Sequence, residues 1–215
     1  MKKLMVSGAL ALALSGVAMA EESGGFVGVD LGVSNSVMNM DAGALGDTIG
    51  LNAKAASVGN FRYGLMGGYK WFFTESFGLR AYLQVNNGAN QIPAGLNLHE
   101  TINTLNVMAN VDALYNFYAS EASSAGLFAG LSFGYAIHYG GIVKDIVDGG
   151  LKDPSGFDMG INFGVRTIFA KHHGIEFFNR FGVIGASATT SESGMDVKMS
   201  ILQPYAFGVR YTYNF

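Results

Sequence analysis

The chain has 215 residues, of which 49% are hydrophobic and only 13% charged, where an ordinary soluble domain carries about 25% charged. Glycine, at 31 residues, has twice its usual share of roughly 7%, yet there are only three prolines and no cysteine, which excludes collagen, proline-rich linkers, disulfide frameworks and thiolate chemistry. A formal charge of −3 offers no basic face for nucleic acid, and the aromatic, glycine-rich, charge-poor profile suits β structure in contact with lipid.

The first elements in chain order are those of a secretory signal peptide. Lys2 and Lys3 precede an uncharged run from Leu4 to Val17, which ends in Ala18-Met19-Ala20. A positive start, an apolar middle and small residues at the cut predict cleavage after Ala20. The run is too short to span a bilayer as a helix, which takes roughly 20 apolar residues. Residues 1–20 are therefore expected to be removed on Sec-type export, and 21–215 to form one domain outside the cytoplasm.

Beyond the leader no stretch is long and apolar enough for a membrane helix, and the apolar residues alternate instead. From Leu105 to Phe117 the odd positions read Leu105, Val107, Ala109, Val111, Ala113, Tyr115 and Phe117, whereas the even ones include Asn106, Asn110, Asp112 and Asn116. A period of two with one oily face is a strand. The pattern recurs over 27–35, 61–73, 77–86, 127–139, 157–169, 175–184 and 205–215, which predicts eight strands. The links between them alternate strictly. Long ones run 36–60, 87–103, 140–156 and 185–204, and short ones Thr74 to Ser76, Ala119 to Gly126 and Ala170 to Gly174. Long extracellular loops alternating with short periplasmic turns are the pattern of an outer-membrane barrel, and an even strand count puts both ends of the domain in the periplasm.

The second face of the strands separates a barrel from a soluble sandwich. It holds glycines together with Asp30, Arg62, Arg80, Asp112, Asp158, Arg166, Glu176, Arg180 and Arg210. Small residues mixed with arginines and carboxylates suit the crowded interior of an eight-stranded barrel, which side chains fill. The four acids and five arginines are expected to pair as a salt-bridge network in the lumen. The oily face carries a periplasmic girdle: Tyr69, Trp71, Phe73 and Phe77 flank one short turn, Tyr115 and Phe117 precede the next, and Phe169, Ile175 and Phe177 flank the third. Asn179 interrupts that stripe, which suggests a bulge.

The chain closes with Phe207, Val209, Tyr211, Tyr213 and Phe215 on one face of its last strand. That alternating aromatic ending resembles the C-terminal assembly signal of outer-membrane proteins, which implies recognition by the barrel-assembly machinery through strand pairing. The segments His172-His173-Gly174-Ile175-Glu176-Phe177, Tyr211-Thr212-Tyr213-Asn214-Phe215 and Gly68-Tyr69-Lys70-Trp71-Phe72-Phe73 resemble the Helicobacter outer membrane protein family. The resemblance is densest over roughly the last fifty residues. It implies a C-terminal barrel; large members of that family carry an added extracellular domain that binds host glycans, for which this chain has no room. It resembles a small member, and adhesive activity does not carry over on resemblance alone.

The residue combinations that could do chemistry have plainer structural readings. His138 and Ser132 lie six residues apart on one strand, roughly 20 Å at 3.3 Å per residue, too far for a catalytic dyad. His99 and Glu100 are read as loop residues with no nucleophile. His172 and His173, with Glu176 nearby, would point to opposite faces of a strand and suit an interface-anchoring turn better than a metal site. Lys144, Asp145, Asp148, Lys152 and Asp153 lack the spacing of a calcium loop and read as a solvated loop with a helical turn. The expectation is thus an all-β, eight-stranded antiparallel transmembrane β-barrel with no catalytic residues, metal or cofactor. Its partners would be outer-membrane lipid, the assembly machinery and, through four extracellular loops, a host surface ligand, with no nucleic acid. Its function would be that of a structural or surface-interaction scaffold; the alternative is a porin-like channel for small solutes.

Overall fold

The computed structural model describes residues 21–43, 47, 53–57, 59–93, 99–192 and 195–215; the leader, 1–20, lies outside them. Eight strands close into an antiparallel barrel: β1 (Gly24–Ser34), β4 (Asn60–Phe72), β5 (Phe77–Pro93), β6 (His99–Ala119), β7 (Ser124–Tyr139), β8 (Gly156–Phe169), β9 (His173–Ile184) and β12 (Tyr205–Asn214). Each pairs with its sequence neighbour in the barrel, and β1 pairs with β12 to close it, Asp30 lying opposite Arg210. Closure leaves no strand edge unpaired in hydrocarbon, where each free backbone group costs several kcal/mol.

The burial pattern is inside-out relative to a soluble protein. Odd-numbered apolar residues face outward, Leu65 at 66% exposure and Phe133 at 45%, whereas even-numbered charges are enclosed, Asp112 at 0% and Arg210 at 2%. At one end of the outer wall, aromatic pairs such as Tyr69 with Trp71, ring centroids 4.8 Å apart, and Phe77 with Tyr115, 5.0 Å apart, flank the short turns. The β8–β9 turn places Ala170 and Lys171 at positive φ, 49° and 64°, the left-handed pair that a tight hairpin demands. Glycine lets the strands come together around bulky lumen groups. At Gly130 a Cβ would run into the Val111 carbonyl and the Asp112 carboxylate.

The long links are more ordered than loops. The hairpin of β5 and β6 continues past the barrel to Pro93 and His99, so His99 and Glu100 open a strand. The first and last links supply β2 (Val37–Asp41), β3 (Ala53–Ala56), β10 (Ala186–Glu192) and β11 (Met195–Leu202), which form a second sheet in the order β10-β11-β2-β3. The third link contains helix α1 (Gly141–Asp148). Ile201 of this sheet packs with Ile102 of β6 and Val143 of α1, and Met38, Ala55 and Ile142 close around them. An apolar knot thus holds the sheet at the long-link mouth of the barrel. The bulge suggested at Asn179 is absent: Asn179 stays in register with Phe163 and Phe207. Its side-chain oxygen accepts from the Tyr205 hydroxyl at 2.6 Å, so a polar group on the oily face is satisfied without distorting the strand. The register shifts occur instead at Asn116/Tyr118 and at Met159/Gly160.

Candidate functional site

The lumen is where charge has been gathered at the expense of hydration. All nine charged residues singled out from the sequence point into it, because all occupy even positions on strands whose odd positions meet lipid. Near mid-barrel, Arg80 donates from Nε to Asp112 at 2.9 Å and from Nη2 to Glu176 at 3.0 Å, with Nη1 also on Glu176. Arg210 and Arg166 approach the same Glu176 at 3.8 and 3.9 Å. Two carboxylates therefore sit among three guanidiniums. Aromatic faces complete the packing, with Arg80 lying 4.6 Å from the Phe128 ring centre and Arg210 lying 4.3 Å from that of Phe178, a geometry favourable for cation–π attraction.

Toward the long-link mouth the charges form separate pairs. Arg180 pairs with Asp158 and donates from Nε to Ser132 Oγ at 2.9 Å. Asp30 accepts from Gln84 at 2.8 Å, while Arg62 stands 3.8 Å from its other oxygen. Asn106 bridges Asn86 and Gln203 at 3.1 and 3.2 Å, which ties the barrel to the residue preceding Pro204. His138 Nδ1 lies 3.0 Å from Thr104 Oγ1, so Ser132 and His138 have different partners. His172 and His173 do not converge either. The first contacts the Asn214 carbonyl and the second the Tyr211 hydroxyl, both at 2.7 Å, and Glu176 points into the lumen with Arg80.

Two charged members of the lumen were missed by the sequence reading. Lys70 has the inward parity of β4 and could have been found by it. Glu21 precedes every strand, so no periodicity marks it. It is enclosed at the short-turn mouth, where Lys70 Nζ donates to it at 2.7 Å, Arg166 Nη1 and Ser124 Oγ each at 2.9 Å, and Asn116 Nδ2 at 3.2 Å, with Arg166 Nη2 also bonded. Burial raises the Glu21 carboxyl, but the Arg166 and Lys70 charges outweigh it and hold the group at about 2, against an ordinary value of 4.5. Glu21, the Arg80–Glu176–Arg210 layer and the outer Arg180–Asp158 and Arg62–Asp30 pairs therefore obstruct the lumen at three heights. The sheet and helix roof it.

The outward residues of β12 form a continuous stripe: Phe207, Val209, Tyr211 and Tyr213 are each exposed, and Phe215 is 72% exposed at its end. The Phe215 amide donates to the Gly25 carbonyl at 3.0 Å, so the last residue joins the seam with β1.

Comparison with known proteins points the same way. The model of the Helicobacter outer membrane protein family matches residues 64–215. No curated protein matches the chain. Among solved structures, the outer membrane protein OprG from Pseudomonas aeruginosa superposes with a TM-score of 0.57 at 11% identity, covering 92% of this chain and 99% of its own. The outer membrane protein AlkL in lipid bilayers gives 0.50 at 13% identity, covering 91% and 92%. At these identities the likeness is one of fold.

Proposed function

Taking as premise that the chain belongs to the Helicobacter outer membrane protein family and is an outer-membrane β-barrel, we propose that it is a closed scaffold presenting a folded extracellular surface for contact with a host ligand. The obstruction of the lumen at three heights under an ordered roof carries this reading. A pore for solutes needs a continuous wet path, whereas here Arg80, Glu176 and Arg210 cross the interior with almost no exposure. Recordings in planar bilayers of the refolded chain should show no sustained current steps; regular steps would replace the scaffold with the porin-like reading. Surface contact is tested by proteoliposome binding to host-cell membranes. Replacing 186–202 by a short turn should abolish binding, and undiminished binding would remove the roof from the proposal.

Two further assignments complete this reading. The leader directs export and is cut after Ala20, so N-terminal sequencing of the isolated protein should begin at Glu21. The outward stripe of Phe207, Val209, Tyr211, Tyr213 and Phe215 is the segment that the barrel-assembly machinery pairs with, in the manner of β-augmentation.

A further inference from the structure

The environment of Glu21 is that of a ligand in a binding site. Its carboxylate accepts five hydrogen bonds from four side chains on four strands: Lys70 of β4, Asn116 of β6, Ser124 of β7 and Arg166 of β8. All four donors are 5% exposed or less. Among the described residues, the other acid within 4 Å of Arg166 is Glu176, whose oxygen lies 3.9 Å from Nε. The acid comes instead from the segment before β1, which is held by one further side-chain bond, from the Phe72 amide to Ser23 Oγ at 2.8 Å. Cleavage after Ala20 would make Glu21 a chain end, free to leave the mouth without unpairing any strand.

We propose that the periplasmic mouth is a carboxylate-binding cradle, built by Lys70, Asn116, Ser124 and Arg166, which Glu21 occupies as a plug. Charge-assisted bonds from a guanidinium fork and an ammonium are the strong ones for a carboxylate, and the two cations would be buried without a close counter-charge if it left. With Glu21 displaced, the cradle accepts a small monocarboxylate from the periplasm. Propionate is the natural probe, because it reproduces the Glu21 side chain from Cβ outward.

The test uses the mature chain with Glu21→Gly, refolded in detergent. Its urea midpoint should fall by about 1 M relative to wild type, the direction set by two stranded cations. Sodium propionate at ~0.2 M should restore about half of that loss, as a ligand that binds only the folded state must do. Sodium chloride at equal ionic strength and neutral propionamide should restore none. Wild type, whose cradle is filled, should be unmoved by propionate relative to chloride. A wild-type midpoint for Glu21→Gly, or equal recovery in chloride and propionate, would overturn the cradle. Should Glu21→Gly not refold in chloride, the proposal requires refolded yield in propionate, and failure in both also overturns it. These readouts are independent of conductance and host binding, so they stand or fall separately from the scaffold reading.

Discussion

Arg80 joins Asp112 to Glu176 across the lumen, and Arg80→Ala isolates what the lumen network contributes. The substitution removes the Nε bond and the Nη2 ion-pair contact to Asp112 and both guanidinium bonds to Glu176. Among the described residues Asp112 is left with no paired cation, and one of its oxygens already lacks a hydrogen-bond partner. Glu176 keeps only Arg210 and Arg166, at 3.8 and 3.9 Å. Breaking a buried pair from one side costs about 3–5 kcal/mol, because the stranded charge has lost both water and partner. With a urea dependence of ~2 kcal/mol per molar, this lowers the unfolding midpoint by about 2 M. The assay is urea unfolding of the refolded barrel in detergent. Arg80→Met combined with Asp112→Asn should recover part of the loss, since Asp112 is then no longer a stranded acid while Glu176 keeps Arg210 and Arg166. Arg62→Ala should cost less than Arg80→Ala, because among the described residues Arg62 meets Asp30 only as a 3.8 Å ion pair, and Asp30 keeps its bond from Gln84. Wild-type midpoints for all five single Arg→Ala variants, at 62, 80, 166, 180 and 210, would refute the reasoning.

Three other outcomes are expected. The Glu21 carboxyl sits at about 2 when folded, below its ordinary 4.5, so its contribution is complete above about 4.5 and lost as pH falls toward 2; wild type and Glu21→Gln should converge in stability across that window, and parallel acid titrations would contradict the assignment. A tag inserted at Gly150, just past α1, should be labelled on intact cells, whereas one at Ser123, between β6 and β7, should require permeabilised cells; equal labelling would overturn the orientation. Deleting Phe215 should sharply reduce outer-membrane yield in cells while refolding into detergent stays near normal, because a finished barrel loses little packing with a residue 72% exposed; normal yield in cells would refute a role in assembly.

Local rules made the barrel readable. Side chains alternate across a strand whatever its partners, so parity alone separated Leu105, Val107 and Val111 from Asn106, Asn110 and Asp112, and the alternation of long and short links counted the strands. The same parity placed Arg80, Glu176 and Arg210 in the lumen. It would also have placed Lys70. Parity could not say which acid meets which base, since that depends on shear: Arg80 is cross-strand from Asp112, but its other partner, Glu176, comes from the far wall. Nor could any period show that the pair 37–41 and 53–56 would join the pair 186–192 and 195–202 in one roof, because the two pairs lie far apart in the chain and meet only when β1 closes on β12. Glu21 is the clearest case. A single residue ahead of the first strand carries no pattern, and its role follows only from the four strands that bring Lys70, Asn116, Ser124 and Arg166 around one carboxylate.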